Sequence, residues 1–223
     1  EGTDEERMQF MMDFFMYFSQ MTADRRANPG DDVASVIANA VIDGQPIGEM
    51  EALGYYVIVA TAGHDTTSAS TAGGLLALMQ NPEQMNKLRN DLSLLPHAIE
   101  EMFRWETPVK HFLRTATEDY TLRGRSIKEG DRLMMMYASG NRDEEVFNNP
   151  FEFQVDRRPN KQIAFGYGVH RCLGHLLAKM EMSAFYKALL ERTTDIQLNG
   201  DPAWIHATFV SGLKRLPVRF IAR

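Results

Sequence analysis

Ten residues late in the chain, Phe165-Gly166-Tyr167-Gly168-Val169-His170-Arg171-Cys172-Leu173-Gly174, constrain the fold more than any other stretch. Gly166 and Gly168 closely precede the cysteine, where a backbone free to take positive φ can approach a bulky planar ligand. Cys172 is the only cysteine, so no internal disulfide forms and the chain fits a reducing compartment. It stands where an apolar helical pattern begins. There the helix dipole and free N–H groups favour a thiolate, and N–H groups aimed at sulfur would tune a bound metal. Three readings stay open on these residues alone: an inert core cysteine, a nucleophile paired with His170, or a metal ligand. Adjacent side chains diverge, which disfavours the pair, and no Cys/His partners stand at zinc spacing.

The first half reads as helices. Met8, Met11, Met12, Phe15 and Phe18 recur at helical steps before Asn28-Pro29-Gly30, as core or partner-helix contact. Asp31-Asp32 caps a helix through Val33, Val36, Ile37 and Ala40 that ends near Asp43-Gly44. The longest helix spans about Gly48 to Gln80 and stops at Asn81-Pro82. Glu83 to Leu94 follows, and Pro96 opens a helix ending at Thr107-Pro108. Phe112 to Leu122 and Arg132 to Tyr137 carry short β-like runs, with turns at Arg123-Gly124 and Glu129-Gly130. A loop-rich stretch from Asn141 to Val169 leads to a helix from Leu173 to about Arg192. Phe209-Val210 and Val218 to Ile221, around Gly212, suggest a terminal β-hairpin. The chain is mainly α with minor β.

Within the longest helix, Ala62-Gly63-His64-Asp65-Thr66-Thr67 puts glycine and paired threonines where a helix interior disfavours them. The Thr66 hydroxyl can bond back to the Ala62 carbonyl, and a bulge there would hold a small ligand or water. The bland alternative is a helix with small residues against a neighbour. Glu101 and Arg104 stand three apart on one helix face, a pattern that is usually exposed and worth little.

The ten-residue loop matches the Phe-Gly-x-Gly-x-His-x-Cys-x-Gly signature and resembles the heme-binding loop of the cytochrome P-450 family. The resemblance spans nearly the whole chain, residues 1–223, as the C-terminal, heme-ligand part of that fold, with the N-terminal part absent. It implies heme b with Cys172 as the axial ligand to iron, Phe165 packed beside the sulfur, and His170 donating to a heme propionate. Arg114, in Thr107 to Thr115, takes the family's propionate-binding position; the alternative is a surface strand arginine. Ala62, Gly63, Asp65 and Thr66 resemble the oxygen-activation segment, in which Thr66 stabilises bound dioxygen and Asp65 relays protons. Phe153-Gln154-Val155-Asp156-Arg157 resembles the loop whose arginine joins the Glu101/Arg104 pair in a buried network.

These likenesses imply a bacterial-type heme-thiolate monooxygenase that inserts one atom of O2 into a hydrophobic small molecule. Electrons would come from a ferredoxin-type donor and its reductase, docked on a basic patch of Arg171, Lys179 and Lys161. Tyr55, Val59, Ala62, Val109, Phe112, Thr208 and Phe209 are the candidate substrate contacts. The alternative is a truncated, non-catalytic heme-binding or interaction fragment, whose exposed apolar surface invites self-association. A net charge of −6 and a pI near 5.5 argue against nucleic acid as a partner. The longest apolar run, Leu53 to Gly63, falls short of the ~18 residues a membrane span needs, which leaves a cytoplasmic protein as the expectation.

Overall fold

The computed structural model describes residues 2–223, which divide into two compact units, one running to His64 and one from Asp65 to Arg223. The first unit opens with α1 (Asp4–Ala27), capped by Thr3 and Glu6. Glu6 N–H donates to Thr3 Oγ1 at 3.2 Å while Thr3 N–H donates to Glu6 Oε2 at 2.7 Å, so two orphan amides are satisfied at once. Asp32 caps α2 (Val33–Ala38) by accepting from Ser35 N–H at 2.7 Å. That helix stops at Asn39, earlier than its apolar spacing predicts. Asp43 and Gly44 both take positive φ, and Val41–Ile42 (β1) and Gln45–Pro46 (β2) close a hairpin around them. Phe18, Ile37, Ile47, Ala52, Leu53 and Tyr56 form this unit's core, with the Phe18 and Tyr56 rings stacked at 5.1 Å. Of the α1 stripe only Phe18 is buried; Met8, Met11, Met12 and Phe15 are exposed, so of the two expected roles, core or partner-helix contact, core packing holds for Phe18 alone.

Helix α3 (Glu49–Gln80) begins in the first unit and contributes residues 65–80 to the second. It is α-helical at every residue, so the expected bulge at Gly63 to Thr67 is not a feature of the backbone. Pro82 starts α4 (Pro82–Asn90), and a short 3-10 turn leads to α5 (Leu95–Glu106). Thr107 ends α5 in the left-handed conformation, its N–H bonded back to the Phe103 carbonyl. Strands β3 (His111–Thr115) and β6 (Arg132–Met136) pair antiparallel, with Arg114 opposite Leu133. Between them β4 (Tyr120–Leu122) and β5 (Arg125–Ile127) pair through the Arg123-Gly124 turn, where both residues have positive φ. A one-turn α6 (Tyr137–Gly140) opens the long loop, and α7 (His175–Arg192) follows the cysteine.

The chain ends in β7 (Thr193–Leu198), β8 (Ala203–Trp204), β9 (Leu213–Arg215) and β10 (Val218–Ala222). The expected terminal hairpin is corrected here: β10 pairs with β7, β9 pairs with β8, and Val210 bridges Val109 instead. A strand period of two says which face a residue takes and nothing about its partner.

The second unit's core lies between α3, α5 and α7, around Leu78, Ile99, Met102, Met182, Tyr186 and Leu190. Gly74 permits that approach, because a Cβ there would lie 2.7 Å from Met102 Cγ and 2.8 Å from the Tyr186 hydroxyl. That hydroxyl donates to the Thr71 carbonyl at 2.5 Å, and burial pushes its pKa up. Among the described residues, no helix is long and apolar enough to cross a membrane.

Candidate functional site

The cysteine loop is a closed backbone ring. Cys172 N–H donates to the Phe165 carbonyl at 2.8 Å, Arg171 N–H to the Gly168 carbonyl at 3.0 Å, and Gly166 N–H to the Ile163 carbonyl at 2.9 Å. Gly166 (φ +70°) and Gly168 (φ +68°) take the left-handed turns that close it. Helix α7 starts at His175 rather than at Leu173, so Cys172 precedes its first turn. His175 Nδ1 lies 2.8 Å from the Cys172 carbonyl oxygen, a hydrogen bond when that nitrogen carries the proton. The outer face of the loop is apolar: Tyr167, Val169 and Leu173 are 88–96% exposed, and the Cys172 thiol is exposed among them. A Cβ added at Gly63, Gly168 or Gly174 would meet nothing within 4 Å.

Behind the loop lies an ion network. Glu101 and Arg104 are fully buried and Arg157 nearly so. The Glu101 carboxylate accepts from Arg104 Nε at 2.7 Å and Nη2 at 2.8 Å, and from Arg157 Nε at 3.0 and 3.1 Å. Gln154 N–H and Asn160 Nδ2 complete its shell at 2.9 and 3.1 Å. The two guanidiniums then donate outward to the main-chain oxygens of Asn141, Asn148, Asn149, Pro150 and Glu152. Two buried cations over one anion are satisfied only because those carbonyls point inward.

Asn141 is a site residue that sequence reasoning missed. Fully buried, it donates from Nδ2 to Thr107 Oγ1 at 2.8 Å and accepts at Oδ1 from Ile163 N–H at 2.8 Å. It thus ties the end of α5 to the arm that leads into the cysteine loop. A lone asparagine at the head of an irregular segment carries no periodic signal that would have revealed it.

Arg114 is half-buried on β3; its Nη1 donates to the Leu113 carbonyl at 2.8 Å and its guanidinium lies 6.0 Å from the Phe112 ring. His170 is exposed at the end of the 3-10 turn Gly168–His170. Val109, Phe112 and Phe209 do come together: Lys110 N–H donates to the Phe209 carbonyl at 2.9 Å, and the Phe112 and Phe209 rings meet edge to face at 5.2 Å. Thr208 is exposed beside Phe209. In the first unit, Tyr55 and Val59 are about half exposed on α3, and Ala62 and Gly63 are also exposed. At the start of the second unit Asp65 is exposed and Thr66 half-buried, and the Thr66 carbonyl accepts from Ser70 Oγ at 2.9 Å.

Lys179 is not a free docking cation. It pairs with Glu100 and lies over the Phe165 ring, because α5 and α7 pack together and bring the two charges into reach. Arg171 and Lys161 remain exposed.

Glu106, at the end of α5, is only 7% exposed, and its carboxylate occupies the space that a Cβ at Gly73 would take. Burial pushes its pKa above the ordinary 4.5, against the pull of Lys110 and Arg142. The folded chain therefore holds this proton to higher pH than the unfolded chain does. Its contribution is most favourable below about pH 4.5 and is lost as pH rises through the window above it. Glu106→Gln is expected to match the parent in urea denaturation near pH 4 and to exceed it at pH 8. A variant less stable than the parent at pH 8 would refute this account.

A family model for Cytochrome P450 matches residues 3–194. Cytochrome P450-terp of a Pseudomonas species is 46% identical over 99% of this chain and 52% of its own length. The Steroid C26-monooxygenase of Mycolicibacterium smegmatis is 39% identical, over 97% of this chain and 56% of its own. Among solved structures, CYP108D1 from Novosphingobium aromaticivorans superposes with a TM-score of 0.90 at 47% identity, covering 96% of this chain and 52% of that one. CYP109E1 from Bacillus megaterium, in complex with testosterone, gives 0.89 at 32% identity, over 96% and 60% of the two chains. The chain spans about half the length of the relatives it matches.

Proposed function

The chain belongs to the cytochrome P450 family, whose cofactor is heme b, and on that premise we propose that it supplies the thiolate side of a heme monooxygenase acting on a hydrophobic small molecule. The observation that carries this reading is an exposed sulfur on a locked backbone ring, set in an exposed apolar face. That donor set suits a flat, apolar macrocycle with a soft axial ligand. When bound, the heme supplies dioxygen activation, and a thiolate ligand favours O–O cleavage.

The chain's own residues do the positioning. Cys172 gives the ligand sulfur, and Phe165 fixes its distance from the core through the Cys172 N–H bond. Gly166 and Gly168 keep side chains out of the approach. Arg114 and His170 offer a guanidinium fork and an imidazole donor for propionates. Glu101, Arg104 and Arg157 hold the loop from behind. Val109, Phe112, Thr208 and Phe209 present apolar surface to substrate. By the family resemblance, Asp65 would hold and pass a proton, and the Thr66 hydroxyl would offer a hydrogen bond to dioxygen. The assignment of Tyr55, Val59, Ala62 and Gly63 to substrate or cofactor contact rests on the family resemblance alone. A ferredoxin-type donor with its reductase supplies electrons, through docking that involves exposed Arg171 and Lys161.

The test is spectroscopic and kinetic. Heme uptake with a strongly red-shifted ferrous–CO Soret band is expected. Asp65→Asn should then slow turnover while leaving substrate-induced spectral binding unchanged. Absence of heme uptake by the chain and by a longer form that includes it would leave the non-catalytic reading, and parental turnover in Asp65→Asn would remove the proton relay.

A further inference from the structure

Lys179 projects from α7 with its Nζ 5.4 Å from the centroid of the Phe165 ring. Its ammonium pairs with Glu100 on α5. Glu100 Oε2 also accepts from Gln162 Nε2 at 2.9 Å, and Gln162 Oε1 accepts from Ala164 N–H at 2.7 Å. Phe165 leans on Phe103 at 4.4 Å between ring centroids, and its carbonyl holds the Cys172 amide. One chain of contacts thus runs from an ion pair between two helices, through an aromatic ring, to the peptide of the cysteine. It shares no side chain with the Glu101 network, which grips the loop farther upstream.

We propose that Lys179, Glu100 and Gln162 are positioning residues: a second clamp that holds the Phe165 arm of the loop and sets the charge felt at the Cys172 sulfur. The inference rests on the heme-thiolate reading for its redox part only. Mechanically, Gln162 and Lys179 pin both ends of the segment 162–165, so the Phe165 carbonyl stays aimed at the Cys172 amide. Electrostatically, a cation on the face of a ring that touches the ligand loop stabilises the more electron-rich, reduced site. Glu100 offsets that cation. The pair is about three-quarters buried, so solvent screens it less than a surface pair.

Two measurements separate the parts. In amide hydrogen exchange on the full chain, Lys179→Met and Glu100→Gln should each speed exchange across residues 163–172 severalfold. The double variant should go no further than either single, and Lys179→Arg should return to the parental rate. In heme-loaded protein, the ferric/ferrous midpoint should fall in Lys179→Met, rise in Glu100→Gln, and return towards the parent in the double variant. Unchanged exchange in Lys179→Met overturns the proposal, as does a midpoint that moves the same way in both single variants. If the parent takes up no heme, it is the heme-thiolate reading that fails, and the exchange rates alone decide the clamp.

Discussion

Replacing Glu101 by alanine is expected to cost about 3–5 kcal/mol of stability, because it strands two buried guanidiniums at once. The carboxylate is fully buried and takes bonds from Arg104, Arg157, Asn160 and the Gln154 amide. Both cations would keep their carbonyl partners but lose their only counter-charge among the described residues. Glu101→Gln separates the two contributions: it keeps one acceptor oxygen, so it should retain part of the geometry while losing the charge. Urea denaturation followed by far-UV circular dichroism reads the loss. A cost of under about 1 kcal/mol for Glu101→Ala, typical of an exposed pair, would mean that the network is solvated in solution.

Cys172→Ser should do the opposite, leaving the fold intact and removing the chemistry. The thiol is exposed, and the bond that fixes the residue runs from its backbone amide to Phe165. Stability should therefore stay within about 0.5 kcal/mol of the parent, the range of ordinary surface changes. A hydroxyl does not reproduce the electron donation of a thiolate, so the red-shifted ferrous–CO band should be lost even where heme is retained. A variant that kept the band would remove Cys172 as the ligand.

Much of this architecture is legible in the sequence where local chemistry decides it. The Asn81-Pro82 stop, the Asp32 cap and Gly124 behave as their residue types require, while Arg123 takes positive φ beside that glycine against its own type. The cysteine loop is legible through its match to the ten-residue family signature; its two glycines and one sulfur leave three readings open on their own. Glu101 and Arg104 are weaker: helical spacing puts them on one face, but only the packing of the segment 141–160 onto α5 makes that face buried. What stayed hidden is non-local. The pairing of β10 with β7 depends on which strand lies beside it. Lys179, read as an exposed cation, lost that role to the Glu100 carboxylate on a neighbouring helix. Asp43-Gly44 did carry a hairpin signal, masked by a helical apolar period that continued through Ala40.

The segment from Asn141 to Asn160 has almost no regular structure, yet Arg104 and Arg157 grip five of its oxygens, every one of them main-chain. Such a grip cannot tell one side chain from another. At positions such as Asn148 and Pro150, what the network reads is the spacing of peptide groups, whereas Asn149 also holds positive φ and donates from Nδ2 to Glu152 at 3.1 Å. Substitutions at Asn148 and Pro150 that preserve the backbone path should be tolerated, whereas adding or deleting one residue among 148–152 would shift neighbouring carbonyls off their guanidiniums. For anyone redesigning this stretch, Asn141, Arg157 and Asn160 must keep their spelling, and between them the length matters more than the letters.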